Sequence, residues 1–473
     1  MKKYENYSKW FDDVLFNAEI LDYRYPVKGF AVYKSWGWRI IRRIVEILEE
    51  ELESTGHEPM LFPVVIPEDT FAREAEHIKG FHMEVFWITH AGDRQLARKM
   101  LLRPTSETAM YPLFAYWIRS HADLPLKIFQ SVPVYRYETK ATRPLLRMRE
   151  FLWNEAHTAH EDWEDAERQV REAVEIYNKV FKKLGLSYLT LKRPDFDKFA
   201  GAVYSLAFDA WNPDGRVNQI GTVHNLGENF ARAFGITYED VDGSHKYVFQ
   251  TCYGFGVSRT LAAVISQHGD DHGLVLPPEI APVQVIVVPI PYKGVEEEVK
   301  EYSRNVYRMI RDAKIRVEID ESDKMQPGEK FYYWEMLGIP VRVEIGPQDL
   351  RERKVTLSER VNLKRSRVKV DDVIQAVRSL FDKIGRELAE RSSSSLKKMI
   401  VNANDLESLR NGIKEKKIAR VNWCEDIKCA EKIRDESGGE IRGYRFDVEE
   451  KPEGLCIICG KEAKRVVYVA RAY

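Results

Sequence analysis

KIFQSVPVYRYETKATRPLLRMREFLWNEAH, residues 127–157, is the most informative segment of the chain. Its first part alternates as a β-strand does, which places Arg136 and Glu138 on one face. A polar loop, TKATRP, follows, and the return segment places a second set of side chains on a single face if it is extended. We therefore predict an antiparallel hairpin that presents arginines, carboxylates and aromatic rings together. The second set is Arg147, Arg149, Phe151, Trp153, Glu155 and His157.

Such a face is suited to ATP. Arginine forks match phosphate oxygens and offset the negative charge that develops during attack at phosphorus. An aromatic ring can stack on adenine, and a carboxylate can accept a hydrogen bond from its amino group. The alternative is a solvated charged hairpin, and the spacing alone does not separate the two.

A second candidate element is TCYGFGVSRT, which contains Gly254, Gly256 and Arg259 ahead of the apolar run LAAVI. A packing turn at the start of a helix explains this GxGxxR string equally well. A dinucleotide-binding fold is disfavoured, because arginine stands where that motif needs glycine or alanine.

Charge and cysteine placement restrict the partners. The 73 basic residues are balanced by 74 acidic ones, so any RNA contact must come from local patches. Cys252 stands alone, whereas the other four cysteines crowd into the last 50 residues, which favours a metal over disulfides. These four are Cys424, Cys429, Cys456 and Cys459.

Neither a signal peptide nor a membrane span is evident. The start, MKKYENYSKWFDD, lacks an apolar core, and no stretch approaches the roughly 20 apolar residues of a span. We expect a soluble cytoplasmic protein that does not contact a membrane.

The chain divides into three predicted domains. The prolines of LVLPPEIAPVQ end the first, residues 1–281. Strands and helices then alternate from VQVIVVPI onwards, which predicts an α/β domain over 282–386. RSSSS, residues 391–395, interrupts the chain before a small α+β domain over 387–473 that carries the clustered cysteines.

Three motifs, in order, resemble those of class II aminoacyl-tRNA synthetases. SWGWRIIRRIVEILEEELESTGHEPMLFPVVIP is similar to motif 1, a long helix and then a strand with an important proline, here Pro63. RYE with RMREF resembles motif 2, and GFGVSR resembles motif 3. The resemblance implies an α+β fold with an antiparallel-sheet catalytic domain, and a homodimer formed through motif 1.

Within that class the chain resembles the prolyl-tRNA synthetases of subclass IIa. In LLRPTSETAM, Thr105 and Glu107 match the residues that hold the imino group of proline. REFLWNEAH implies that Trp153 packs on the pyrrolidine ring, and VNQIGTVHNLGENF implies that His224 lines the proline pocket. Only about 100 residues separate motifs 2 and 3, which leaves no room for the editing domain of bacterial relatives. The archaeal/eukaryotic type is therefore implied.

The resemblance implies a reaction in two steps. ATP and L-proline give prolyl-adenylate and pyrophosphate, and the prolyl group then passes to the terminal adenosine of tRNA(Pro), with Mg²⁺ bridging phosphates. Misactivation of cysteine or alanine stays open, because a small apolar pocket discriminates weakly. Arg136 and Arg259 are the implied catalytic residues, and Arg136 also contacts proline. The implied ATP-binding residues are Arg136 (α-phosphate), Glu138 (adenine), Arg147 and Arg259 (outer phosphates), Phe151 (stacking on the base), Gln219 and Thr222.

The two later domains have implied partners as well. The α/β domain resembles the anticodon-binding domain of related synthetases, and its charge-rich turn offers candidate tRNA contacts, with a solvated loop as the alternative. The CxxxxC…CxxC pattern, with Gly460 after the second pair, predicts a structural zinc site formed by the four clustered cysteines. The candidate tRNA contacts are Arg351, Arg353, Lys354 and Arg360.

Three alternatives remain. A threonyl or seryl enzyme shares TxE strings, but the threonyl enzyme needs a zinc set of cysteine and histidines, and Cys252 has no such companions in a recognisable pattern. A synthetase-like protein that binds RNA without charging it would be favoured by loss of Glu107, Arg136 or Arg259, all of which are present. A plain zinc-dependent RNA-binding protein leaves the first domain unexplained.

Overall fold

The computed structural model describes residues 2–73 and 85–473, and the predicted hairpin is central to it. Strand β7 (Leu126–Tyr135) pairs antiparallel with β8 (Glu150–His160) over their whole common length. The sheet continues on the β8 side with β14 (Phe249–Phe255), β11 (Arg216–Gly227), β10 (Tyr204–Trp211) and β9 (Tyr188–Lys192), each antiparallel to its neighbour. The predicted antiparallel catalytic sheet is confirmed.

The return segment is shorter than predicted. It becomes a strand only at Glu150, so Arg147 and Arg149 lie in the loop before it and not on the face of the strand. The reason is a turn closed by two 2.8 Å backbone hydrogen bonds between Arg143 and Arg147. Leu145 adopts a positive φ of 61° in this turn and is buried, so an extended chain here would expose it.

Three helices cover one face of the sheet. Helices α5 (Trp163–Lys183) and α7 (Val257–His268) pack on the strands, and α2 (Ser35–Glu53) packs across both helices. Phe181 of α5 stacks on Phe255 of β14 with ring centroids 5.1 Å apart. The polar side chains of the strands are left on the opposite face, where they line a cleft.

The predicted motif 1 helix is α2, but its proline differs from the expectation. Pro63 lies between two short strands, β3 (Glu58–Pro59) and β4 (Val65–Pro67), and not within either. Strand β3 pairs in parallel with β7 and forms the edge of the sheet.

The second sheet consists, in spatial order, of β16 (Val317–Ile319), β15 (Val285–Pro289), β17 (Val341–Ile345), β18 (Lys354–Glu359) and β19 (Arg365–Lys369). Its first three strands are parallel, as the alternation of strands and helices predicts, and the last two are antiparallel. The charge-rich segment predicted as a turn is instead a short helix, Pro347–Glu352, followed by the hairpin of β18 and β19.

The serine-rich segment 391–395 does not interrupt the chain. It lies within one helix, Val373–Met399, which also crosses the predicted domain limit at 386/387. Ser392 is buried there, and its hydroxyl donates to Gln267 Oε1 at 2.5 Å. Packing against α7 thus keeps a run of weak helix formers helical.

The C-terminal segment extends the catalytic sheet. Strand β22 (Glu440–Arg445) pairs antiparallel with β9. Strand β23 (Arg465–Ala472) pairs in parallel with β11, where Arg471 lies opposite Arg216 and Ala472 lies opposite Val217. One sheet of eleven strands therefore runs through both regions. Within the described ranges, no helix is long and apolar enough to cross a membrane.

The strands are β1 Leu21–Asp22, β2 Val32–Tyr33, β3 Glu58–Pro59, β4 Val65–Pro67, β5 Phe86–Ala91, β6 Arg94–Leu102, β7 Leu126–Tyr135, β8 Glu150–His160, β9 Tyr188–Lys192, β10 Tyr204–Trp211, β11 Arg216–Gly227, β12 Thr237–Glu239, β13 His245–Tyr247, β14 Phe249–Phe255, β15 Val285–Pro289, β16 Val317–Ile319, β17 Val341–Ile345, β18 Lys354–Glu359, β19 Arg365–Lys369, β20 Ile400–Asn402, β21 Ile418–Trp423, β22 Glu440–Arg445 and β23 Arg465–Ala472. The α-helices are α1 Tyr7–Asn17, α2 Ser35–Glu53, α3 Glu68–Phe71, α4 Glu107–Trp117, α5 Trp163–Lys183, α6 Asn229–Phe234, α7 Val257–His268, α8 Glu296–Asp312, α9 Pro327–Met336, α10 Pro347–Glu352, α11 Val373–Met399, α12 Leu406–Lys414 and α13 Ile427–Ser437.

Arg360 joins the second domain to the first, which corrects its prediction as a tRNA contact. Its side chain is 1% exposed, and its guanidinium holds both oxygens of Asp270, at 2.6 and 2.7 Å. Its Nε also donates to Glu335 O at 2.9 Å. Because the side chain is buried and each of its three nitrogens is bonded inside the protein, Arg360 is not accessible to RNA.

We expect Arg360→Met to destabilise the protein by about 2 kcal/mol, less than the roughly 3–5 kcal/mol of a fully buried pair, because Asp270 is 37% exposed. Thermal unfolding followed by calorimetry checks this. In the control, Asp270→Asn with Arg360→Met, part of the stability returns because no unpaired carboxylate remains. An unchanged melting temperature for Arg360→Met would contradict the structural role.

Candidate active site

A cleft of about 300 Å³ lies on the polar face of the sheet. It contains every residue predicted to bind proline or ATP, although these residues are spread over more than 150 positions of sequence. The lining residues with a predicted role are Thr105, Glu107, Arg136, Glu138, Arg147, Phe151, Trp153, Gln219, Thr222, His224 and Arg259.

A bulge in β11 aligns two of the predicted ATP contacts. Residues three apart on a regular strand face opposite sides of the sheet. Here Phe208 pairs with Gly221 and Asp209 with Gln219, which leaves Ile220 as an extra residue. Gln219 and Thr222 therefore both face the cleft.

A buried carboxylate holds the loop that carries Thr105 and Glu107. Glu155 is 1% exposed and accepts hydrogen bonds from Ser106 N at 3.1 Å, from the Ser106 hydroxyl and from Gln130 Nε2 at 2.8 Å. Burial alone raises the pKa of Glu155, but hydrogen bonds from His157, Ser106 and Gln130 outweigh it, so the pKa lies below its ordinary value. This charged acceptor therefore fixes the position of the loop that carries Thr105 and Glu107.

The loop offers an anionic acceptor to the cleft. Thr105 Oγ1 donates to Glu107 Oε2 at 2.5 Å, and α4 begins at Glu107. Both side chains are 2% exposed. A cationic ligand with N–H donors matches this pair, because charge-assisted hydrogen bonds are the strong ones.

His224 enters the same part of the cleft as a neutral side chain. Its Nδ1 lies 2.7 Å from Ser205 Oγ, and its ring lies against Phe199 with centroids 4.7 Å apart. Burial, with repulsion from His157 and Arg193, lowers the pKa of His224 to about 3. Near neutral pH it can therefore hydrogen-bond a ligand without repelling a cation.

Glu107, His157 and Cys252 place one possible ligand atom each within 4.8 Å of one another. Hydrogen bonds already occupy this cluster. The two ring nitrogens of His157 lie 3.0 Å from Tyr111 OH and 3.2 Å from Glu155 Oε2. Burial and the charge of Glu107 raise the pKa of Cys252, so it remains a thiol bonded to that carboxylate. The cluster combines one cysteine and one histidine with a carboxylate, whereas the threonyl enzyme needs a cysteine with histidines.

The other end of the cleft is strongly positive. Burial and repulsion from Arg136 and Arg147 lower the pKa of Arg259 to about 10, at which it keeps its charge near neutral pH. Its Nε donates to Leu146 O at 3.0 Å, so the guanidinium is fixed in place. Three clustered cations favour a polyanion, since a bound triphosphate relieves their mutual repulsion.

The motif 2 loop arranges the remaining predicted contacts. The Arg136 guanidinium lies over the rings of Phe151 and Trp153, at 5.3 and 5.5 Å from their centroids. Arg147 Nε lies 3.7 Å from Glu138 Oε2, so these two predicted contacts face each other across the loop.

Gly254 leaves room for Trp153. A Cβ at this position would lie 3.1 Å from Trp153 Cζ3, which is tighter than ordinary packing. The glycine of the GxGxxR string thus serves close packing in the cleft, whereas Gly256 precedes α7, which carries Arg259.

The four clustered cysteines come together, as predicted. Their Sγ atoms all lie within 4.8 Å of one another, and Cys424 is 3.6 Å from both Cys429 and Cys459. Thiolates bound tetrahedrally to zinc at about 2.3 Å lie about 3.8 Å apart, whereas a disulfide needs about 2.05 Å. The cluster fits a zinc ion with four protein ligands, which leaves no position open for catalysis.

The remaining tRNA candidates lie at the end of α10. Arg351 and Arg353 are exposed, and Arg353 ends the helix with a positive φ of 50°. Lys354 is half-buried, with its Nζ 3.0 Å from Glu352 Oε2. These three side chains remain candidates.

Several residues that line or support the cleft were given no role by the sequence analysis. Asp209 gave the clearest signal, because a charge within the apolar strand YSLAFDAW needs a buried partner. Its partners Arg193 and Arg442 lie on other segments, 16 and 233 positions away, and had no local signal. The residues without a predicted role are Ser106, Gln130, Glu155, Arg193, Ser205 and Asp209.

Three family models match the chain in order. The model for the tRNA synthetase class II core domain (G, H, P, S and T) matches residues 86–268. An anticodon-binding domain matches 284–380, and the prolyl-tRNA synthetase C-terminal domain matches 406–473.

Curated relatives and a solved structure match over the full length. The proline–tRNA ligase of Pyrococcus horikoshii is 50% identical, with 99% of this chain and 98% of the relative covered. That of Methanopyrus kandleri is 47% identical, with 99% and 96% covered. The structure of Giardia lamblia prolyl-tRNA synthetase in complex with prolyl-adenylate superposes with a TM-score of 0.96 at 34% identity and covers 99% of both chains.

We expect the purified protein to contain roughly one zinc ion per chain, and Cys456→Ser to lose it and to melt at a lower temperature. Metal content by mass spectrometry checks this. Cys252→Ser is the matched control, because that cysteine lies outside the cluster, and it should retain the metal. Equal zinc loss in both variants, or a wild type without zinc, would contradict the assignment.

Proposed function

This chain belongs to the proline–tRNA ligase family, and we propose that the cleft activates L-proline with ATP and then transfers the prolyl group to tRNA(Pro). The observation that carries the proposal is the division of one cleft into two ends. The anionic end holds Thr105 and Glu107, and the cationic end holds Arg136, Arg147 and Arg259.

The anionic end suits proline. The secondary ammonium has one positive charge and two N–H donors, which the Thr105 hydroxyl and the Glu107 carboxylate can accept. Trp153 offers a ring face to the pyrrolidine, and neutral His224 completes the pocket without repelling the ammonium. Misactivation of cysteine or alanine is part of the proposal, because each methylene contributes only about 1–3 kcal/mol of discrimination.

The cationic end suits ATP. A carboxylate oxygen of proline attacks the α-phosphorus, the bond to the oxygen bridging to the β-phosphate breaks, and pyrophosphate leaves. Arg136 stabilises charge at the α-phosphate, and Arg147 and Arg259 hold the leaving phosphates. Phe151 stacks on adenine and Glu138 accepts from its amino group, which requires Glu138 to turn from Arg147 to the base.

In the second step a ribose hydroxyl of the terminal adenosine attacks the prolyl carbonyl carbon, and AMP leaves. Gln219 and Thr222 keep the nucleotide in place through both steps. Mg²⁺, when bound to the phosphates, neutralises charge there. The protein supplies position and charge rather than a nucleophile.

Two further parts of the proposal lie outside the cleft. Arg351, Arg353 and Lys354 supply cations for the anticodon stem-loop. A homodimer forms around motif 1, where Leu61 and Val64 flank Pro63 with 81% and 37% of their surface exposed.

We expect ATP–pyrophosphate exchange to depend on proline when all 20 amino acids are tested separately. Cysteine and alanine should give weaker signals. Alanine lacks two methylenes of the ring, so its kcat/KM should be lower by about 10²-fold or more. Purified wild-type protein and radiolabelled pyrophosphate are sufficient for the measurement.

The other outcomes discriminate among the alternatives. Strong exchange with a different amino acid keeps the synthetase core but overturns the roles of Thr105, Glu107, Trp153 and His224. Absence of exchange with every amino acid, in protein that is folded and zinc-loaded, favours a protein that binds RNA without charging it.

Glu155→Gln should raise the KM for proline about tenfold, within the roughly 1.5–3 kcal/mol of a hydrogen bond to a charged group. Four donors converge on this carboxylate, and an amide would oppose at least one of them with its own N–H groups. Steady-state exchange at saturating ATP measures the change. Glu138→Gln, in the adjoining loop, is the matched control and should raise the KM for ATP instead. Equal shifts in both constants for both variants would contradict separate roles.

A further inference from the structure

A buried charge network crosses from the C-terminal segment to the nucleotide end of the cleft. Arg193 follows β9 and Asp209 lies on β10, whereas Arg442 lies on β22, 233 residues after its partner Asp209. The exposed fractions of Arg193, Asp209 and Arg442 are 5%, 1% and 8%. Buried ion pairs of this kind depend strongly on each member, since loss of one leaves the others uncompensated.

Asp209 is shared between the two arginines. Its Oδ2 accepts from Arg442 Nε at 2.8 Å and from Arg193 Nη1 at 3.3 Å, and its Oδ1 accepts from Arg193 Nη2 at 2.8 Å. Burial alone raises the pKa of Asp209, but the two guanidinium groups outweigh it, and the pKa lies below its ordinary value. Asp209 is therefore an anion between two cations.

Arg193 carries this arrangement into the cleft. Its Nη2 also donates to Gln219 Oε1 at 2.7 Å, and Gln219 lines the nucleotide end. A donor on the amide oxygen fixes the orientation of the side chain, so that its NH₂ group is available to an acceptor on a ligand. The orientation of Gln219 thus depends on how the N–H groups of Arg193 are shared between Asp209 and Gln219.

Arg442 determines how the N–H groups of Arg193 are shared between Asp209 and Gln219. It occupies Asp209 Oδ2, and its own carbonyl oxygen accepts from Arg193 Nη1, so the Arg193–Asp209 pair stays asymmetric, with contacts of 2.8 and 3.3 Å. Without the Arg442 guanidinium, Asp209 Oδ2 keeps only its 3.3 Å contact with Arg193 Nη1. Arg193 is then drawn into the symmetric fork that arginine and carboxylate prefer, which turns its Nη2 away from Gln219.

We propose that Arg442 is a positioning residue for the nucleotide, acting through Asp209 and Arg193 on Gln219. The proposal rests on the proposed function in that Gln219 serves ATP. The C-terminal segment thereby contributes to ATP binding from outside the cleft, through a side chain that does not touch the substrate.

The test compares Arg442→Met with Arg445→Met. Arg445 lies on the same strand and is also ion-paired, but its partner Asp447 is part-exposed and neither residue lines the cleft. We expect Arg442→Met to raise the KM for ATP about fivefold to tenfold, the effect of one lost hydrogen bond to a ligand, and to leave the KM for proline within about twofold. Arg445→Met should leave both constants within about twofold. Arg442→Lys keeps the charge and should restore part of the ATP effect.

Calorimetric titration with ATP provides a second readout that does not need turnover. If the wild type shows no proline-dependent exchange but Arg442→Met still binds ATP five to ten times more weakly, the proposed function fails and the positioning role stands. If exchange is normal and Arg442→Met has an unchanged KM for ATP, the positioning role is overturned alone. Equal increases in both KM values, or equal effects of the Arg445 variant, also overturn it. Should Arg442→Met not fold, Arg442→Lys and Arg442→Gln carry the same comparison.

Discussion

The cleft depends on the antiparallel register that joins β7, β8, β14 and β11. Two rows of residues cross the sheet because of this register: Glu155 faces Gly254, which faces Thr222, and His157 faces Cys252, which faces His224. A slip of one residue in any pairing would turn that strand's polar side chains towards the helices and its apolar ones into the cleft. Hydrophobic packing of α5 and α7 on the other face therefore holds the polar side chains of these strands towards the cleft.

Within that frame, buried charge determines what each end of the cleft can bind. The sheet carries two ionised carboxylates in its interior, Glu155 and Asp209, and each is compensated before any ligand arrives. The free energy of folding offsets the cost of burying them. Because these carboxylates fix the loop of Glu107 and, through Arg193, the side chain of Gln219, the substrate does not have to rearrange either residue. The arginines around Arg259 are compensated less completely, and a polyanionic substrate supplies what is missing. The preorganised carboxylates and the mutual repulsion among the arginines around Arg259 together favour tight binding of a substrate that carries the reacting phosphate.

Much of this arrangement could be predicted because local sequence patterns specify it. Alternation gave β7, and the similarity of short strings to known motifs gave Thr105, Trp153 and Arg259. The errors arose where tertiary contacts override local preference. A turn that contains buried Leu145 precedes β8. The hydrogen bond of buried Ser392 to Gln267 stabilises the serine run as a helix. The ion pair with Asp270 keeps the Arg360 side chain buried. The bulge at Ile220 and the partners of Asp209 also had no local signal, since pairing between different strands is decided only when the sheet forms.

The C-terminal segment shows why a structural metal can matter to a distant reaction. Cys424 directly follows β21, Cys429 lies in the first turn of α13, and Cys456 and Cys459 precede β23. A metal bound there would hold together β21 and β23, which pair with each other. Strand β23 continues to β11, which carries Gln219, and its neighbour β22 carries Arg442. The four cysteines, the extended sheet and the Asp209 network are thus successive links in one rigid path. Loss of the metal would loosen first the two strands through which this segment reaches the nucleotide end of the cleft, and the core packed beneath α5 and α7 would be affected last.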